Sequence, residues 1–113
     1  GPLPVTWPSR AEAPDGKTSP EELIAAAWAS CYSMALSGAL ARDGAAPERL
    51  ETSVTVTFQP GQGIVRGAIT VVGTVPGLDA ETFAVKAGDA KAGCPVSKAL
   101  AGIPELTLDA RLA

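Results

Sequence analysis

Residues 23 to 41 carry no charge, and Ser30, Ser33 and Ser37 are their only clearly polar positions. The surrounding stretch, 18 to 44, predicts one long helix. Ser19 is placed as the N-cap, Pro20 fills the first helical position, where its missing N–H costs nothing, and Glu22 completes a capping box with Ser19. At the far end Arg42 suits the negative end of the dipole, and Gly44 is free to take the left-handed conformation that closes a helix. Apolar nearly all round, such a helix is expected to be buried on most faces, with Ala35, Gly38 and Ala39 admitting a second backbone. Its length would also suit a bilayer. It is built from alanine and serine with few large aliphatics and has no basic flank, so a core helix rather than a membrane span is expected.

After a linker at 45 to 51 the period changes to two. In TSVTVTFQ, Val54, Val56 and Phe58 alternate with polar partners, which predicts a half-buried strand. Residues 60 to 63 make a turn, and residues 64 to 75 form a second strand closing a hairpin, with Gly67 and Gly73 expected to mark bulges or bends. Asp79 then caps a second helix over residues 80 to 92 that ends at Gly93. Cys94 follows, in position to cap a short helix in PVSKAL, and ELTLDARLA alternates as a last strand. Ahead of the long helix, Pro2, Pro4, Pro8 and Pro14 predict an extended arm. The order helix, hairpin, helix, strand indicates an α+β fold, with both main helices on antiparallel sheets.

At 113 residues the chain reads as a single domain over 1 to 113, near the lower end of sizes that fold unaided. Pairing two copies of the long helix in a homodimer would bury it better. A net charge of −3 leaves no basic stripe, so neither nucleic acid nor an anionic membrane is an expected partner. The absence of histidine removes the commonest metal ligand and general base, and two cysteines alone make a poor metal site, so no metal is expected. Two cysteines do not make a secreted disulfide scaffold, which points to a reducing cytoplasm.

Candidate chemistry centres on Cys31 and Cys94. A cysteine on an apolar helix is commonly a small core residue, and the pair could form a structural disulfide worth about 4 kcal/mol in the chain-entropy model. Cys31 lies too deep in its helix to feel the N-terminal dipole, and its neighbours Ala27, Trp28, Met34 and Ala35 are apolar, so desolvation raises its pKa. Cys94, as the cap of a short helix, looks the more acidic thiol. Glu21 and Glu22 also have a plain explanation as first-turn carboxylates.

SPEELIAAAWASCYSMALSGAL around Cys31 and KAGCPVSKAL around Cys94 resemble the two cysteine motifs of the OsmC/Ohr family, the osmotically inducible and organic hydroperoxide resistance proteins. VPGLDAETF and LTLDARL extend the resemblance to most of the chain, and GCPVSKAL is closer to the OsmC branch. Family members carry further N-terminal strands and a longer hairpin loop, so those strands are expected to be missing from this chain.

The resemblance implies an OsmC-like fold, an intertwined homodimer, and a thiol-dependent peroxidase that reduces organic hydroperoxides, and hydrogen peroxide in some cases, in oxidative and osmotic stress defence. It implies no cofactor, only an external reductant, a dithiol or lipoyl-type compound. Cys31 matches the peroxidatic cysteine and Cys94 the resolving one; Glu21, in the PEEL motif, matches the active-site glutamate, and Arg10 is the arm's only arginine. The implied roles are a guanidinium of Arg10, oriented by Glu21, that supports a Cys31 thiolate, and an apolar wall of Ala27, Trp28 and Met34 that receives the alkyl group. Ten residues of helix place Glu21 about 15 Å along the axis from Cys31 and about 80° around it, so the pair is expected to meet across two chains. Two readings of other classes remain: a homodimeric module binding a small hydrophobic ligand, and an inert disulfide-linked dimer.

Overall fold

The computed structural model describes residues 19 to 113. Its elements are α1 (Pro20–Arg42), β1 (Arg49–Gln59), β2 (Gly63–Thr74), α2 (Ala80–Gly93), α3 (Pro95–Ala99) and β3 (Glu105–Leu112). The proline-rich arm, with Arg10, lies outside the described residues. Capping works as its residues imply: the Ser19 hydroxyl accepts from the Glu22 N–H at 3.2 Å, and the Asp79 carboxylate accepts from the Thr82 N–H at 3.1 Å. Past the end of α1, Gly44 takes a φ of 79°.

The expectation of a sheet that is antiparallel throughout needs correction. The order is β1-β2-β3, with β1 and β2 an antiparallel hairpin and β3 parallel to β2, Ile69 facing Val54 on one side and Leu108 on the other. Alternation along ELTLDARL carries no strand direction. A parallel neighbour of β2 needs a crossover connection, and the chain supplies one through α2 and α3.

Gly67 and Gly73 also differ from expectation. The register breaks at Thr57/Phe58, not at either glycine. Both glycines make room instead: a Cβ on Gly67 would stand 2.6 Å from the Trp28 ring, and one on Gly73 would stand 2.7 Å from the Phe83 ring. Gly67, Ile69, Val71 and Gly73 lie on one face of the central strand and are all buried. That face therefore receives α1 through Trp28 at Gly67 and α2 through Phe83 at Gly73.

In the single chain α1 is buried along one stripe, Trp28, Tyr32, Leu36 and Leu40, each fully closed to solvent, while Leu23 is 41% and Met34 73% exposed. The sheet and the two shorter helices cover one side of the long helix, and nothing described here covers the other. Helix α1 is long and apolar enough to cross a membrane by length and composition. Its place in this fold is that of a core helix, packed chiefly on β1 and α2. The Tyr32 hydroxyl donates to the Ala87 carbonyl at 2.8 Å and ties α1 to α2 inside the core. At the rim, Asp43 and Lys86 form an ion pair between the same two helices.

Candidate active site

The fold brings the two cysteines together. Cys31 sits at the middle of α1, and Cys94 is the residue that ends α2 and caps α3, 63 positions later. Their sulfurs are 3.3 Å apart, with Cys94 donating to Cys31 while both are thiols. Cys94 is fully closed to solvent; Cys31 is half-buried. Of the two residues, Cys31 is the one that keeps exposed surface.

The electrostatics separate the pair further. Burial pushes the Cys94 thiol up, but the Ser97 N–H, the Cys31 thiol, the Ser97 hydroxyl and the Val96 N–H together outweigh it, and its pKa falls below the ordinary value. The Val96 N–H favours a thiolate on Cys31 too; the hydrogen bond to Cys94, burial and the charge of Cys94 prevail, and the Cys31 pKa rises. The Cys94 side chain makes no capping hydrogen bond at the start of α3. Tyr32 feels the same charge: burial, and then the Cys94 thiolate, push its phenol up.

Among the remaining candidates, Ala27 and Met34 are exposed on the side of α1 where Cys31 surfaces. Trp28 lies on the other flank of Cys31. It is closed to solvent, its ring rests on Gly67, and its indole N–H donates to the Ser97 hydroxyl at 2.8 Å. Glu21 is buried in the first turn of α1, about 15 Å along the helix from Cys31 of the same chain. A groove of about 530 Å³ runs beside Met34, Ser37 and Leu50 and contains neither sulfur. Among the described residues no three His, Cys, Asp or Glu side chains gather into a metal site.

Sequence reasoning missed Ser97. Its signal was its place three residues after Cys94 in CPVS, where the third residue of a helix turns back toward its cap.

A family model described as OsmC-like protein matches residues 13 to 109. The chain belongs to the OsmC family. It is 43% identical over 112 residues to the Peroxiredoxin OsmC of Escherichia coli strain K12, a match covering 96% of this chain and 76% of that protein. The organic hydroperoxide resistance protein OhrB of Bacillus subtilis is 26% identical, with a TM-score of 0.67 over 98% of this chain and 82% of its own. The OsmC-like protein of Mycoplasma pneumoniae shares the fold at 12% identity, with a TM-score of 0.76 over 98% of this chain and 80% of its own.

Proposed function

We propose that this OsmC-family protein is a peroxidase that reduces organic hydroperoxides, and hydrogen peroxide where it gains access, through a Cys31 sulfenic acid and a Cys31–Cys94 disulfide. The observation that carries the mechanism is the 3.3 Å contact between the sulfurs of half-buried Cys31 on α1 and of Cys94, which is closed to solvent. Peroxidase activity in general is supported by the 43% identity to a peroxiredoxin.

In the first step the Cys31 thiolate attacks the distal peroxide oxygen. The O–O bond breaks, the proximal oxygen leaves as alkoxide and takes a proton to become the alcohol, and Cys31 becomes a sulfenic acid. The Cys94 thiolate then attacks the Cys31 sulfur, its hydroxyl leaves as water with one proton, and the S–S bond forms. The sulfurs close by little more than an ångström from their 3.3 Å contact, since a disulfide bond is about 2.05 Å. An external dithiol, such as a lipoyl-type compound, returns both cysteines to thiols and is itself oxidised to a disulfide.

The greater exposure of Cys31 supports the peroxidatic role for it, although the surroundings lower the Cys94 pKa and raise that of Cys31. The described surroundings hold the Cys31 pKa up, so a fixed cation is required, and in this reading Arg10 supplies it with Glu21 orienting the guanidinium. Ala27 and Met34 line the approach for the alkyl group, and Trp28 forms the floor beneath it. The exposed apolar side of α1, from Leu23 to Met34, is the surface on which a second copy packs in an intertwined homodimer. The reading includes a cytoplasmic setting and no nucleic-acid or membrane partner. Peroxide consumption by the purified protein with a dithiol present tests it, and none with any peroxide would exclude it.

A further inference from the structure

Two buried hydrogen bonds tie the helix that carries Cys31 to the segment that carries Cys94, and the peroxidase steps use neither. The Trp28 indole N–H donates to the Ser97 hydroxyl at 2.8 Å, from α1 to α3. The Tyr32 hydroxyl donates to the Ala87 carbonyl at 2.8 Å, from α1 to α2. Trp28, Tyr32 and Ala87 are fully closed to solvent and Ser97 is 6% exposed, so water does not compete for either bond. Their places along the chain bracket both cysteines. On α1, Trp28 and Tyr32 are one turn apart on the buried stripe with Cys31 between them in sequence, and on the facing segment Ala87 and Ser97 stand on either side of Cys94. The Trp28 ring is also pinned by β2, since a Cβ on Gly67 would stand 2.6 Å from it. Between these anchors the two sulfurs meet at 3.3 Å.

We infer that Trp28, through Ser97, and Tyr32, through the Ala87 carbonyl, are positioning residues that hold the Cys31 and Cys94 sulfurs in contact, so that the disulfide forms with little rearrangement. The inference rests on the disulfide cycle proposed above and concerns only its sulfur-to-sulfur step. Neither bond touches a reacting atom. Each instead removes a way in which α1 could slide or turn against the junction of α2 and α3, and so raises the effective concentration of one sulfur at the other. The Asp43–Lys86 ion pair joins α1 to α2 as well, but it lies past the end of α1 and brackets neither sulfur.

The test uses the purified full chain and needs no peroxide. The protein is equilibrated in buffers of dithiothreitol and its cyclic disulfide, and the fraction carrying the Cys31–Cys94 bond is read by trapping free thiols and mass spectrometry. In this exchange the two protein thiols lose two electrons and two protons, which open the cyclic disulfide to the dithiol. Ser97→Ala and Tyr32→Phe, each of which deletes one hydroxyl, are expected to lower the equilibrium constant for disulfide formation about threefold, within the range of one hydrogen bond. Together they should lower it about tenfold, since the two bonds share no group. Ser97→Thr, which keeps the hydroxyl, should restore the first loss. Val71→Ala, a truncation in the buried core that removes neither bond, should lower stability in denaturant and leave the constant at its wild-type value. A wild-type constant in Ser97→Ala or in Tyr32→Phe, or an equal fall in Val71→Ala, would overturn the inference. Should one of the two hydroxyl variants not fold, the other decides, and Trp28→Phe removes the first bond from its opposite end. Failure of the peroxidase reading shows separately: these shifts would persist in a protein whose Cys31 never reacts with peroxide, whereas a wild type that forms no disulfide at any dithiol ratio would overturn the cycle and this inference together.

Discussion

Cys94 has no exposed surface, while Cys31, whose sulfur is 3.3 Å away, remains half-open to solvent. The proposed division of labour uses that difference: in the proposed cycle Cys31 meets the substrate and Cys94 meets only its partner. The acidity runs the other way, with Cys94 lowered and Cys31 raised, which suits a resolving thiolate that is ready before the sulfenic acid forms.

This ordering has a pH signature. The folded pair should release its first proton from Cys94 below the ordinary thiol value near 9 and hold the second, on Cys31, above it. A lowered folded pKa contributes stability above the unfolded value and loses it as pH falls through the folded value. A raised one contributes below the unfolded value and loses it as pH rises through its own. The net contribution of the pair is therefore largest near the ordinary thiol pKa and declines on both sides. Denaturant unfolding of wild type and of the double Cys→Ser variant across that range should show a difference that peaks there.

Gly67→Ala should destabilise the fold by about 1–3 kcal/mol, the usual scale of overpacking. The added methyl would stand 2.6 Å from the Trp28 ring, which is held on the other side by its bond to Ser97. Chemical denaturation gives the value directly, and an unchanged midpoint would show that the ring moves freely. Gly61→Ala meets no such atom, and its strain comes from a φ of 82° alone.

Much of this arrangement was legible in the residues. The capping of α1 by Ser19 and of α2 by Asp79 is local chemistry, and it fixed both helix starts. The placement of Cys94 as a cap followed from Gly93 and Pro95 beside it. The direction of β3 was not legible, because alternation is the same in parallel and antiparallel strands. Nor was the purpose of Gly67 and Gly73: a glycine in a strand looks alike whether it marks a bulge or admits a ring from 39 residues upstream or 10 downstream. Ser97 was hidden for the same reason, since its partner Trp28 is distant in sequence.

Arg10→Ala should slow the reaction of Cys31 with peroxide at neutral pH and move its thiolate midpoint further upward. The described groups already hold that pKa above the ordinary value, so the loss of a supporting cation leaves little thiolate. Stopped-flow oxidation and the pH profile of Cys31 alkylation, in a Cys94→Ser background, read both effects. Unchanged profiles would assign the cation's role to another side chain, such as Lys98 or Arg42.

Glu21 of one subunit should serve Cys31 of the other, because about 15 Å of helix separates the two within a chain. Cys31→Ser and Glu21→Ala proteins, each inactive, should regain activity when unfolded and refolded together, as one site in each heterodimer recovers both groups. Confirmed subunit exchange without recovered activity would mean that the pair does not operate across chains.

The roles of the two sulfurs are tested most directly by mass spectrometry after one equivalent of an alkyl hydroperoxide. Wild type should show a single Cys31–Cys94 disulfide, and Cys31→Ser should show no oxidised cysteine. Cys94→Ser should react once and carry sulfenic or over-oxidised Cys31. Oxidation of Cys94 in Cys31→Ser, with Cys31 untouched in Cys94→Ser, would contradict the account.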